Sequence, residues 1–303
     1  MDSSGIQKGQ KQGFTLIELL VVIVIIGILA SLALVGGNAA MQAARRTVIK
    51  TDLSQLEMAL EQYKNKYGEY PPDFSDVNAV MRHVRKRWPR FSQVTIGNTS
   101  YSLTSDLFID QMVLAGWNVA EMEDSGTDKA KIKVYNPDGV GHLAAVTFWL
   151  GGLPEGGMLG GFSANVSNPF DLTAQRELPL LEMTIGGNVV APDENPFGVY
   201  FFKSHKYPVV YFRSGYASGG NVKSFTDPDL GTAVPYARSI GSAGDTVWYN
   251  DKKFQLIHPG LDGVFGHGAG PRAIDPQKDE RVNIGNEDYD NQTNFGGGTT
   301  IEE

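Results

Sequence analysis

The hydrophobic pattern of the chain changes character twice. Residues 14–35 read FTLIELLVVIVIIGILASLALV, an apolar run whose single charge is Glu18, and no further charge follows until Arg45 and Arg46. An apolar helix crosses the hydrocarbon core of a bilayer with about 20 residues, and buried core helices seldom sustain so long a run. The segment therefore predicts a membrane-spanning helix. Beyond Arg46 the pattern becomes amphipathic. Ile49, Leu53, Leu56, Leu60, Tyr63 and Tyr67 recur at steps of 4, 3, 4, 3 and 4, with Lys50, Asp52, Gln55, Glu57, Glu61 and Lys64 on the other faces. That spacing describes a helix burying one stripe against a partner. Gly68 is a natural stop, and Pro71-Pro72 cannot continue the helix. One helix is predicted over residues 14–67, about 80 Å long at 1.5 Å per residue. Its first half belongs in lipid or a filament core, its second against a globular domain.

From residue 68 onward short apolar runs alternate with Gly, Pro and Asn turns, as strands do. The best strand candidates are residues 144–150 (AAVTFWL), 198–202 (GVYFF), 209–213 (VVYFR) and 254–257 (FQLI). Residues 105–116 read as a short helix with a serine cap and a Gly116 stop, and residues 151–168 as a loop. A basic helix is expected within residues 76–90, where Arg82, Arg85, Lys86, Arg87 and Arg90 surround Trp88. The fold class is α+β: a long N-terminal α-helix packed on a β-rich globular domain. The chain divides into a leader (1–13), a transmembrane and assembly helix (14–67) and a globular domain (68–303).

Composition narrows the chemistry. With no cysteine, disulfide scaffolds, thiolate metal sites and cysteine nucleophiles are excluded. The net charge of −8 gives no global field toward nucleic acid, so the basic helix reads as a solvated face and no nucleic-acid partner is expected. G-x-S-x-G, P-loop and H-E-x-x-H patterns are missing. Residues 139–144 spell G-x-G-x-x-A, but they follow Pro137-Asp138 and lead into what reads as a strand, where a dinucleotide fingerprint needs a helix. His258 and His267 read as structural or solvated. No enzymatic activity is expected.

The leader MDSSGIQKGQKQG carries Lys8 and Lys11, which places it in the cytoplasm by the positive-inside rule. The apolar run behind it is longer than a cleavable secretory signal needs. Glu18 is costly inside such a helix, by a few kcal/mol on insertion scales, and calls for a positive partner unless it sits at the headgroup boundary. Residues 13–22, GFTLIELLVV, resemble the N-terminal signal of type IV pilins and type II secretion pseudopilins. The resemblance covers roughly residues 9–70, and a pilin-like fold follows from it. It implies that a membrane-embedded prepilin peptidase cuts between Gly13 and Phe14 and methylates the new Phe14 amine. It also implies that Glu18 is an assembly residue. An amine freed at Phe14 lies near the level of Glu18, and a neighbouring subunit's ammonium at one axial stagger would offset the buried carboxylate. Many pilins carry a proline where this chain has Val35; Gly36-Gly37 stand close by and allow either a local bend or close helix packing. Residues 63–72 (YKNKYGEYPP) resemble the helix exit of major pseudopilins.

Residues 254–266 (FQLIHPGLDGVFG) resemble the pseudopilin end, where a strand runs into a Gly-Asp-Gly turn. Major pseudopilins hold calcium in this C-terminal loop, and the resemblance points to Asp288 and Asp290, with Asp262 as a third acid. Calcium takes six to eight oxygen ligands, and a plain acidic tail is the rival reading. The function expected is a structural subunit of a type II secretion pseudopilus or type IV pilus-like filament, polymerised through its N-terminal helix. Its partners would be further copies of itself, other pseudopilins, the prepilin peptidase and the inner-membrane assembly platform. The location expected is the inner membrane, single-pass, with the leader cytoplasmic and the globular domain periplasmic or extracellular. The alternative is a minor pilin or adhesin whose enlarged head binds a surface ligand or secreted substrate.

Overall fold

Thr15 opens and Gly68 closes a 52-residue helix, α1 (Leu16–Tyr67). Gly68 adopts the left-handed conformation, φ 80°, and its N–H returns to the Lys64 carbonyl at 2.7 Å, the stop that its sequence position predicts. The computed structural model describes residues 14–96, 98–114, 140–187, 189–190, 199–200, 202, 207–218, 221–240, 246–266, 272–275, 280–282, 284 and 290–295. The chain forms two units, Met1–Arg45 and Arg46–Glu303. In the first, every described side chain from residue 14 to 31 is exposed. Among the described residues no helix is long and apolar enough to cross a membrane; the side chains of residues 32–36, within the apolar run, lie outside the described ones.

In the second unit the predicted stripe of α1 is buried. Ile49, Leu53, Leu56, Leu60 and Tyr63 are at most 2% exposed, and Tyr67 is half-buried. α2 (Val77–Arg87) is capped by Asp76, whose carboxylate accepts the Asn78 N–H at 2.8 Å, and it buries Val80, Met81, His83 and Val84. α3 (Ser105–Leu114) begins one residue beyond Thr104, whose hydroxyl accepts the Leu107 N–H; Thr104 supplies the cap that the sequence suggested for Ser105. The Gly116 stop lies outside the described residues.

The run at 144–150 is not a strand. It lies in α4 (Val140–Val146) and the π-helical turn that continues it (Thr147–Gly151). These residues are buried on every side, so periodicity carries no signal, and packing overrides the β preference of Val, Thr and the aromatics. Trp149 is the hub: it stacks on Phe74 and Trp88 and meets Tyr63, His83 and Phe148 edge-on. A helix thus follows Gly139, contrary to the strand expected there, while the residues before it lie outside the described part. Gly141 serves packing, because a Cβ would sit 2.6 Å from that of Phe74.

The strands at 210–213 and 254–258 form as predicted, Val199–Tyr200 of the 198–202 run is a strand while residues 198 and 201 lie outside the described ones, and the expected loop at 151–168 contains a small hairpin, Pro154–Glu155 with Met158–Leu159. Phe254–His258 is the central strand of a three-stranded antiparallel sheet, between Val210–Arg213 and Gln292–Thr293. It is buried throughout. Phe254, Leu256 and Tyr211 join the core against α1, whereas Ile257, Val210 and Phe212 point into a second core, the alternation a strand covered on both faces requires. A four-stranded sheet in the order Thr246–Trp248, Tyr236–Ile240, Arg272–Asp275, Glu280–Val282 lies beside it. Buried Gln255 ties the two sheets: Oε1 accepts the Tyr236 N–H at 2.7 Å, and Nε2 donates to the Tyr236 and Tyr249 carbonyls, both at 2.8 Å.

Candidate assembly site

Glu18 has a partner within its own chain. Its Oε2 accepts the Thr15 N–H at 2.8 Å and the Thr15 hydroxyl at 2.7 Å, while Thr15 Oγ1 accepts the Glu18 N–H at 3.3 Å. This is a reciprocal capping box, and it sets a carboxylate at the positive end of the helix dipole. The sequence spells it, Thr15-x-x-Glu18, but reading Glu18 as an assembly residue passed over it. All the Glu18 side-chain bonds end on Oε2; among the described residues Oε1 accepts none. Phe14 stands directly before the cap and is 77% exposed. Gly13 lies outside the described residues. Thirteen large apolar side chains between Phe14 and Leu29 are exposed, from Leu16 at 85% to Val22 at 42%, far more than a soluble surface carries in one patch.

The C-terminal acids are partly brought together. Asp290 Oδ2 accepts the N–H groups of Leu261 (2.6 Å) and Asp262 (3.0 Å), and Asp262 Oδ1 accepts that of Val264 at 2.8 Å. Gly260 and Gly263 take φ of 72° and 83°, and a Cβ at Gly260 would overlap the Asp290 carboxylate. Asp290 Oδ1 is buried and has no hydrogen-bond partner among the described residues. Asp288 lies outside the described residues, as does His267. Among the described residues no group of three or more His, Cys, Asp or Glu is placed to hold a metal. His258 is fully buried, accepts the Gly260 N–H at 3.1 Å and stacks on Phe202.

Of the basic run, Arg82, Arg85, Lys86 and Arg90 are exposed, as a solvated face would be. Arg87 is instead structural. Its guanidinium lies 4.0 Å over the Tyr67 ring and 4.4 Å over Phe162, and it donates to the hydroxyls of Tyr63 (3.0 Å) and Tyr67 (2.9 Å).

The helix exit carries a polar cluster with no trace in the sequence pattern. Arg87 donates to Tyr63, the Tyr63 hydroxyl lies 2.6 Å from His83 Nε2, and His83 Nδ1 lies 2.7 Å from Glu69. Since a carboxylate only accepts, the imidazole proton sits on Nδ1 and Nε2 accepts from Tyr63. Glu69 also takes Arg213 at 3.2 Å. Asp73, 3% exposed, accepts from Ser75, from the Arg213 N–H at 2.9 Å and from Lys223 at 2.7 Å. His142 Nδ1 stands 3.7 Å from Asp73 and donates to the Tyr211 carbonyl at 3.1 Å. The Tyr211 hydroxyl donates to Pro71 O at 2.7 Å. Partners 140 and 150 residues away thus fix the turn after Gly68.

Burial pushes the Asp73 carboxyl up, but His142 and Lys223 overcome it and hold the group at about 2. Burial lowers His83 and His142 to about 4, against the pull of Glu69 and Asp73. At neutral pH both imidazoles are therefore neutral, and Lys223 is the cation that Asp73 keeps. The unfolded chain titrates these histidines near 6.5 and so binds more protons than the folded one below that pH. Stability from them is complete above pH 6.5 and is lost as pH falls through 4; Asp73 extends the loss below 3.8 toward 2. Thermal melts from pH 7.5 to 4 should show a falling Tm, with each histidine contributing up to about 3 kcal/mol across the window. His142→Gln should flatten the slope, and an unchanged slope would remove His142 as its source.

Residues 8–34 match the family described as the prokaryotic N-terminal methylation motif. The type II secretion system core protein G of Pseudomonas aeruginosa is 38% identical over 76 residues, 25% of this chain and 54% of that protein. The protein of the same name from Klebsiella pneumoniae is 39% identical over 72 residues, 24% of this chain and 51% of that one. That of Vibrio cholerae is 36% identical over 85 residues, 28% of this chain and 58% of that one. The chain spans about half the length of the curated relatives it matches. No solved structure matches it. The chain thus carries a prepilin-type N-methylation motif at residues 8–34, and its N-terminal region is similar to that of the type II secretion system core protein G.

Proposed function

We propose that this chain is a pseudopilin-type structural subunit without catalytic activity. In this reading a prepilin peptidase cuts between Gly13 and Phe14 and methylates the Phe14 amine. The first half of α1 holds the subunit in the inner membrane, leader inward and globular domain on the periplasmic or extracellular side. Subunits then pack through that helix into a filament with further copies of themselves and with other pseudopilins, drawn from the inner-membrane assembly platform. One observation supports this above others: the thirteen exposed apolar side chains between Phe14 and Leu29, headed by a carboxylate. At about 1.5–3 kcal/mol per side chain, covering them is worth roughly 20–40 kcal/mol, more than the net stability of an ordinary domain. Lipid or sister helices are the covers this length suits. Glu18 then fixes the stagger. Oε2 is used by the cap, Oε1 remains for a neighbour's Phe14 ammonium, and any other axial offset leaves both charges unpaired in apolar surroundings.

Calcium belongs to the same reading. The buried, unpartnered Asp290 Oδ1 fits one oxygen ligand, and Asp262 stands at the same turn; these two, with Asp288, would hold the ion and brace the end of the central sheet.

Mass spectrometry of the protein from its host should find a methylated Phe14 at the N-terminus; an intact Met1 refutes processing. Glu18→Val should insert into the membrane but enter filaments at least tenfold less than the parent, and equal incorporation defeats the register role. Millimolar calcium should raise the Tm of the purified chain by mass action, an increase that Asp290→Asn abolishes; no increase removes the metal.

A further inference from the structure

The turn between Trp248 and Phe254 is built more firmly than a connection needs. Asn250 adopts φ 50°, a left-handed conformation that few non-glycine residues take, Asn being among the most tolerant. It is held from three directions. The Tyr216 hydroxyl and the Lys253 N–H donate to its carbonyl at 2.8 and 2.9 Å, and its amide donates to Phe254 O at 3.1 Å. Tyr249, just before it, is buried and stacks on Phe295 with centroids 4.7 Å apart. A fixed, strained turn is the kind of place where binding groups sit.

A concavity of about 430 Å³ opens beside this turn, lined by Arg238, Val247, Trp248 and residues 250–253. Small-ligand sites run to about 300–1,000 Å³. One wall is apolar: Val247 is 53% exposed, and the half-buried Trp248 ring is braced by Tyr216 at 5.5 Å. The other carries charge. Lys253 is taken up by Glu61 at 3.0 Å. Arg238, its guanidinium poised 5.1 Å over the Tyr249 ring, and Lys252 are exposed and form no ion pair among the described residues. Among the described residues of the lining only Asp251 opposes them. A positive concavity on a chain of net charge −8 does no evident work for the fold.

We propose that this concavity binds an acidic carbohydrate, a sugar ring carrying a carboxylate. The carboxylate pairs with Arg238 and Lys252, the apolar face of the pyranose lies on Trp248 and Val247, and Asn250 and Asp251 take hydroxyls. A neutral sugar leaves two cations without a task, and a simple inorganic anion leaves the indole wall without one. A nucleic-acid strand calls for a longer track of cations than two. The inference is independent of how α1 is processed or packed.

The test is calorimetric titration of the full chain in detergent with a galacturonate tetramer, and with maltotetraose as its neutral counterpart. The acidic tetramer should bind at low salt and weaken as salt rises, with maltotetraose at least tenfold weaker. Arg238→Gln, Lys252→Gln and Trp248→Ala should each weaken binding at least tenfold, the two exposed cation variants at unchanged Tm. Arg85→Gln, an exposed cation of α2 that is not part of the lining, should bind as the parent does. The proposal falls if no heat is seen with the acidic tetramer, if the two tetramers bind alike, if the Arg238 and Lys252 variants bind normally, or if Arg85→Gln weakens binding equally.

Discussion

The ion pair between Asp73 and Lys223 holds together a place where the chain would otherwise come apart. α1 ends at Tyr67 and the backbone must reverse within a few residues past two prolines. An ionised carboxylate buried there would be ruinous alone, yet it is offset by an ammonium at 2.7 Å, two donors from Ser75 and a backbone N–H from Arg213. Removing the ammonium would leave an uncompensated buried charge, the more damaging way to break such a pair. Because its partners come from the central sheet and its flank, the exit of α1 and the sheet form one object. The stripe from Ile49 to Tyr63 then has a floor to lie on.

Much of α1 was legible because its signals are local. A change from an unbroken apolar run to steps of three and four, a glycine at the stop and prolines beyond it depend on neighbours a few residues away. The buried strands at 210–213 and 254–258 were readable for the same reason. Residues 144–150 were misread because full burial erases the difference between a period of 2 and one of 3.6. What could not be read at all was the cluster around Glu69 and Asp73. Two acids beside a turn look like solvated loop residues, and their partners at His142, Arg213 and Lys223 are supplied by topology.

The acids near the C-terminus are a middle case. Sequence grouped Asp262, Asp288 and Asp290 by composition and likeness. The fold joins Asp262 and Asp290 through a backbone turn that Gly260 makes room for, and it employs one carboxylate oxygen as a hydrogen-bond acceptor for two successive N–H groups. An acidic residue can thus have a structural duty and keep a second oxygen free for another, a division of labour that Glu18 repeats at the opposite end of the chain.

The cap at Thr15 and Glu18 bears on the proposed maturation. Among the described residues, the Thr15–Glu18 hydrogen bonds that open α1 all lie downstream of the Gly13–Phe14 bond. Cleavage at that bond, as proposed above, would leave this capping box intact. A polypeptide shortened as proposed would keep this end wound.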